Sequence, residues 1–118
     1  MSCRKLEDVV RRSGFIIIDT YEDEDTCRVD FRHPYIKPIP PYTYYISSAI
    51  MKKRDGSIRA TVRSKVETFK ELYLDYCCEN GVFVCRPHVN MEEKILSVEA
   101  IFSEKPIDKL RSLLSEML

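Results

Sequence analysis

The chain has 118 residues, 44% of them hydrophobic and 32% charged, and its 19 Lys and Arg balance 19 Asp and Glu to a formal net charge of zero. That length suits one domain, 1–118, able to bury roughly two-thirds of the surface an unfolded chain exposes. The composition excludes a disordered polyelectrolyte, and no apolar run approaches the roughly 20 residues of a membrane span. Residues 1–8 have no apolar stretch and no small-residue cleavage site, so a cytoplasmic protein without membrane attachment is expected.

Gln and Trp are absent and the only Asn residues are Asn80 and Asn90. Depletion of thermolabile amides beside dense Lys, Arg and Glu suits a thermophile, or a virus of one. In that setting the five cysteines, Cys3, Cys27, Cys77, Cys78 and Cys85, could form structural disulfides, although an odd count leaves one over and the pairing is not readable.

In chain order, Ser2 is placed to cap a short helix whose Leu6, Val9 and Val10 share a face and which stops at Ser13-Gly14. Residues 15–20 read as a β-branched strand. The acidic turn 21–25 leads to a second strand, 27–31, which His33-Pro34 ends. The stretch 34–41, PYIKPIPP, is a proline-stiffened connection. Residues 42–64 form a hairpin turning at Asp55-Gly56. Ser64 and Glu67 then compose a capping box for a helix striped by Val66, Phe69, Leu72, Tyr73 and Tyr76 and closed by Asn80-Gly81. A strand over 82–89 contains Pro87, which assigns it to an edge or a bulge, and 95–102 is the best-patterned strand. Pro106 opens a last helix with Ile107, Leu110, Leu113, Leu114 and Met117 on one side.

The expected fold is therefore α+β, in the order αββββαββα, with a mainly antiparallel sheet of about six strands and helices on one face. Helix, glycine and two strands recur at 3–32 and 65–102. This is a pseudo-repeat of pattern, with the hairpin 42–64 inserted between its halves.

The hairpin draws the functional reading, because 51–65, MKKRDGSIRATVRSK, holds six of the 19 Lys and Arg and a single acid. A two-residue turn at Asp55-Gly56 sets Lys52 opposite Arg59, a like-charge pair. A three-residue turn with Gly56 as bulge groups Ile46 and Ile50 with Ile58, Ala60 and Val62. It is the expected register because it buries the aliphatics together. Either choice leaves Arg59, Arg63 and Lys65 on one face with Lys53 and Tyr45, or with Lys52 and Tyr44. Cations beside an aromatic ring suit single-stranded DNA or RNA, the phosphates held by charge and a base stacked on the ring.

The expected function is a non-enzymatic nucleic-acid-binding protein using Tyr45, Lys53, Arg59, Arg63 and Lys65. The competing reading is a protein-interaction module or homodimer, in which the hairpin meets an acidic surface of a neighbouring copy and Leu110, Leu113, Leu114 and Met117 need outside cover.

Other constellations carry less. Cys77, Cys78, Cys85 and His88 lack zinc-ligand spacing. Asp19, Glu22, Asp23, Glu24, Asp25 and Asp30 lack a calcium-loop pattern and read as a solvated tip. His33 and His88 have no nucleophile at readable spacing, and each of the three glycines is used by a turn or cap. No catalytic residue, metal or cofactor is expected.

Overall fold

The computed structural model describes residues 3–36, 46–65, 84–90 and 95–118, with Lys65 and 84–90 described by backbone alone. The elements are α1 (Cys3–Arg12), β1 (Ile16–Glu22), β2 (Thr26–Arg32), β3 (Ile46–Lys52), β4 (Ile58–Lys65), β5 (Val84–Asn90), β6 (Ile95–Phe102) and α2 (Pro106–Met117). The fold is α+β. One antiparallel sheet has the order β1-β2-β3-β4-β6-β5, which puts β1 and β5 at its edges. The middle helix expected after Ser64, the connection 37–45, both tyrosines Tyr44 and Tyr45, and Cys77 and Cys78 lie outside the described residues.

Alternation sorts each inner strand into a covered and an open face. Helix α1 lies against β1, β2 and β3, and α2 lies against β4, β6 and α1. Beneath them the pairings align Cys27, Met51, Ile58 and Phe102 in one cross-strand row and Val29, Ala49, Ala60 and Ala100 in the next. All eight are buried. The three alanines make a shallow trough, so the helices approach the sheet closely and Leu6, Val10, Leu110, Leu113, Leu114 and Met117 are each 0% exposed. This corrects the expectation that the last helix needs outside cover: its apolar stripe is sealed by its own chain.

The expected hairpin register is also corrected. Ser48 pairs with Thr61, Ala49 with Ala60, Ile50 with Arg59 and Met51 with Ile58. Neither a two- nor a three-residue turn gives that set. The strands close through Lys52 N–H to Ser57 O (2.9 Å), and residues 53–56 make the loop, with Gly56 N–H donating to Lys52 O (2.8 Å). Gly56 sits at φ +76°, a left-handed conformation that suits glycine. Asp55 Oδ1 accepts from Ser57 N–H (2.9 Å) and Ser57 Oγ (2.7 Å). In this register Ile46 and Ile50 go to the open face while Ala49, Met51, Ser47 and Ser64 are buried. The buried serines are satisfied, since Ser47 Oγ accepts from Arg63 N–H (2.8 Å) and Ser64 Oγ donates to Met117 O.

Two ties hold the ends of the helical layer. A Cys3–Cys27 disulfide, Cα–Cα 5.6 Å, fastens α1 to β2. At the far end of β2, His33 is 1% exposed and its ring packs edge-on to Phe15 with centroids 5.6 Å apart. Its Nδ1 accepts from Tyr35 N–H (3.1 Å), which leaves Nε2 as the protonated nitrogen of the neutral ring, 3.0 Å from Leu118 O.

Candidate nucleic-acid interface

The open face is built in rows by the same register. One row runs Tyr21, Arg28, Ile50, Arg59, Ile101, and the next Asp19, Asp30, Ser48, Thr61, Glu99. A third contains Arg32 and Ile46, with Arg63 paired to Ser97 beyond them. Neither described helix packs on this side.

The cations in these rows have different employments. Arg28 lies over the Tyr21 ring, 4.0 Å from its centroid. Its Nη2 donates to Asp30 Oδ2 (3.5 Å), whereas its Nε, 3.3 Å from Asp30 Oδ1, is buried and makes no hydrogen bond. Arg59 is largely exposed and reaches Glu99 Oε1 at 2.9 Å. Arg63 is half-buried: Nε donates to Ile46 O (2.7 Å) and Nη1 to Ser97 Oγ (3.0 Å), so it staples β3 to β4 and β6. Burial pulls its guanidinium below the ordinary arginine value, without discharging it at neutral pH. Lys52 is exposed and has no ion-pair partner among the described residues.

The residues singled out from sequence are therefore not one cluster. Arg59 and Arg63 share the open face, as expected, but only Arg59 extends into solvent. Lys53 is in the loop: its Nζ is 2.7 Å from Glu22 Oε2 and its N–H donates to Asp25 O (2.8 Å). Lys65 ends β4, and its side chain, like Tyr45, lies outside the described residues. Sequence reasoning passed over Tyr21 and Arg28, a pair placed directly opposite each other by a bulge at Ile18 that shifts the β1 register. A bulge leaves no composition signal.

Between Ile50 and Ile101 the open face sinks into a groove of about 320 Å³, with Lys52, Arg59 and Thr26 around it. Its lining joins the isoleucines to Lys52 and Arg59, an arrangement that can hold a flat apolar group while pairing its anionic substituent.

The acidic tip of the first hairpin meets the basic loop of the second in the same molecule, through Glu22 and Lys53. Asp23 is committed to its turn: Oδ1 accepts from the N–H groups of Asp25 (2.8 Å) and Thr26 (2.7 Å). Those bonds hold the Asp23 carboxyl below its ordinary value, and the Ser57 bonds do the same for Asp55. Among the described residues no group of three His, Cys, Asp or Glu is arranged to hold a metal, and no helix is long and apolar enough to cross a membrane.

No protein-family model, curated protein or solved structure matches the chain.

Proposed function

We propose that this chain is a non-enzymatic nucleic-acid-binding protein with a preference for single strands, and that it binds through the open face of its sheet. The observation that carries the reading is the largely aliphatic groove with Lys52 and Arg59 in its lining. Among the described residues of this face, Arg28, Arg32, Lys52, Arg59 and Arg63 outnumber Asp19, Asp30 and Glu99. A base can lie over Ile50 and Ile101 or against the exposed Tyr21 ring, while Lys52 and Arg59 take the flanking phosphates. Duplex DNA buries its bases and offers this flat face mainly backbone, hence the preference. Lys52 replaces Lys53 in the binding set, and Arg63 acts by holding the strands that carry the others.

Fluorescence anisotropy with labelled single- and double-stranded oligonucleotides across a salt series tests the reading. Binding should favour single strands and weaken with salt. Lys52→Ala with Arg59→Ala should reduce the logarithmic salt slope by about 1.4, two phosphate contacts' worth for a single strand. Lys53→Ala should leave it unchanged. Absence of binding at low salt, or an unaltered slope in the double variant, would refute the proposal.

A further inference from the structure

The sheet's first edge carries a second surface, which shares Tyr21 with the open face. Three of the large hydrophobic side chains with high exposure, Ile16 (41%), Ile18 (46%) and Tyr21 (47%), sit on β1. Beyond β1 the sheet has no further strand among the described residues. The phase of its free backbone groups follows from the tip: Asp23 N–H bonds back to Thr26 O, so Tyr21 and Asp23 turn their amides toward β2. Alternation then turns the N–H and C=O of Thr20 and Glu22 outward. One of these amides is guarded. Thr20 N–H donates to Asp19 Oδ1 (2.9 Å), and the other oxygen of that carboxylate accepts from Tyr21 Oη (2.9 Å).

Acids outnumber bases along this edge, although Arg28 lies over the Tyr21 ring and Lys53 pairs with Glu22. No Lys or Arg occurs between Arg12 and Arg28, a span that contains Asp19, Glu22, Asp23, Glu24 and Asp25. On the helix side of β1 a cleft of about 140 Å³ opens between Glu7, Thr20 and Glu22 beside the Cys3–Cys27 bridge, with Arg28 also in its lining. Two strands β1 from separate copies, paired antiparallel about Tyr21 so that Thr20 meets Glu22, would set Asp19 of each against Asp23 of the other, a destabilising like-charge pair.

We infer that β1 is a docking edge for an extended, basic segment of another protein, which adds as a strand. Such a segment supplies backbone partners for Thr20 and Glu22 and apolar side chains against Ile16, Ile18 and Tyr21. Its Lys or Arg enters the cleft beside Glu7 and competes with Lys53 for Glu22. Docking also requires the Asp19 carboxylate, which lies on the open-face side, to leave Thr20 N–H and free that donor for the new ladder.

The test uses a short alternating lysine–valine peptide, its glutamate–valine counterpart, and a lysine–valine peptide with N-methylated backbone, each titrated against the full chain by two-dimensional amide NMR and hydrogen exchange. The lysine–valine peptide should bind and slow exchange at Thr20 and Glu22, and the other two should not. Thr20→Pro removes an outward N–H but no bond of the β1–β2 ladder. It should weaken the peptide by about tenfold, the worth of one such hydrogen bond, with an unchanged thermal midpoint. Equal binding of the methylated peptide, or shifts confined to Lys52 and Arg59, would overturn strand addition. Self-association through β1 in sedimentation would overturn the basic partner in favour of a second copy. None of these results depends on whether oligonucleotides bind the open face.

Discussion

The two faces of the sheet are made from the same strands, residue by alternate residue, and they use their side chains to opposite ends. On the covered face, shape decides: three alanines lie between larger residues so that two helices fit, and the core side chains are all but sealed. On the open face, chemistry decides, with cations, carboxylates and half-buried isoleucines interleaved. Arg59 and Arg63 divide along the same line although both stand on one strand and one face. The first reaches through solvent to Glu99, and the second is drawn down onto a backbone carbonyl and a serine. The difference teaches that charge counted along a sequence does not measure charge available to a ligand.

The comparison is most severely tested on the covered face. Leu113→Ala should cost about 4 kcal/mol in chemical denaturation, because the site is sealed and surrounded by layers that cannot collapse into the gap. Cys3→Ser should cost about 3 kcal/mol by releasing a loop of sequence separation 24, measured against the oxidised parent. Arg63→Ala, on the open face yet tied to Ile46 O and Ser97 Oγ, should cost about 2 kcal/mol. Arg59→Ala should cost under about 0.5 kcal/mol, since its ion pair with Glu99 is exposed to screening, and a larger loss would erase the distinction between the two arginines.

The smallest effect concerns pH. The folded chain favours the ionised Asp23 and Asp55 carboxylates, so both titrate below the ordinary carboxylate range. Their contribution is present above the unfolded-state value and fades as pH falls through the lowered folded one. Carboxyl NMR titration should show both holding their charge to lower pH than the ordinary aspartate range.

Much of the fold is legible in the order of the residues. Strand 95–102, which alternates from Leu96 to Phe102, and the helix opened by Pro106 announce themselves through periods of two and about 3.6. The register of the central hairpin is not legible in that way. Asp55-Gly56 looks like a complete turn, but Asp55 spends its carboxylate on Ser57, and the loop begins at Lys53. Hydrophobicity alone favours Ile46 and Ile50 for the interior, whereas the space beneath the helices is taken by Ala49 and Met51. Buried Ser47 and Ser64 are equally hidden from a pattern argument, because their partners, Arg63 N–H and Met117 O, are distant in the chain. The candidate site is the hardest part to read, since its content depends on which cation finds which carboxylate. Lys53 is engaged by Glu22, 31 positions away.

The Cys3–Cys27 bridge has one consequence beyond its tie between helix and strand. All of β1 lies inside the covalent ring it closes. When β1 opens from β2, the ring keeps the released strand at a high effective concentration beside its own partner, so it re-pairs faster than a free-ended strand would. An oxidised chain can therefore keep an apolar strand at the rim of its sheet without surrendering it to strand exchange between copies. A reduced chain loses that restraint.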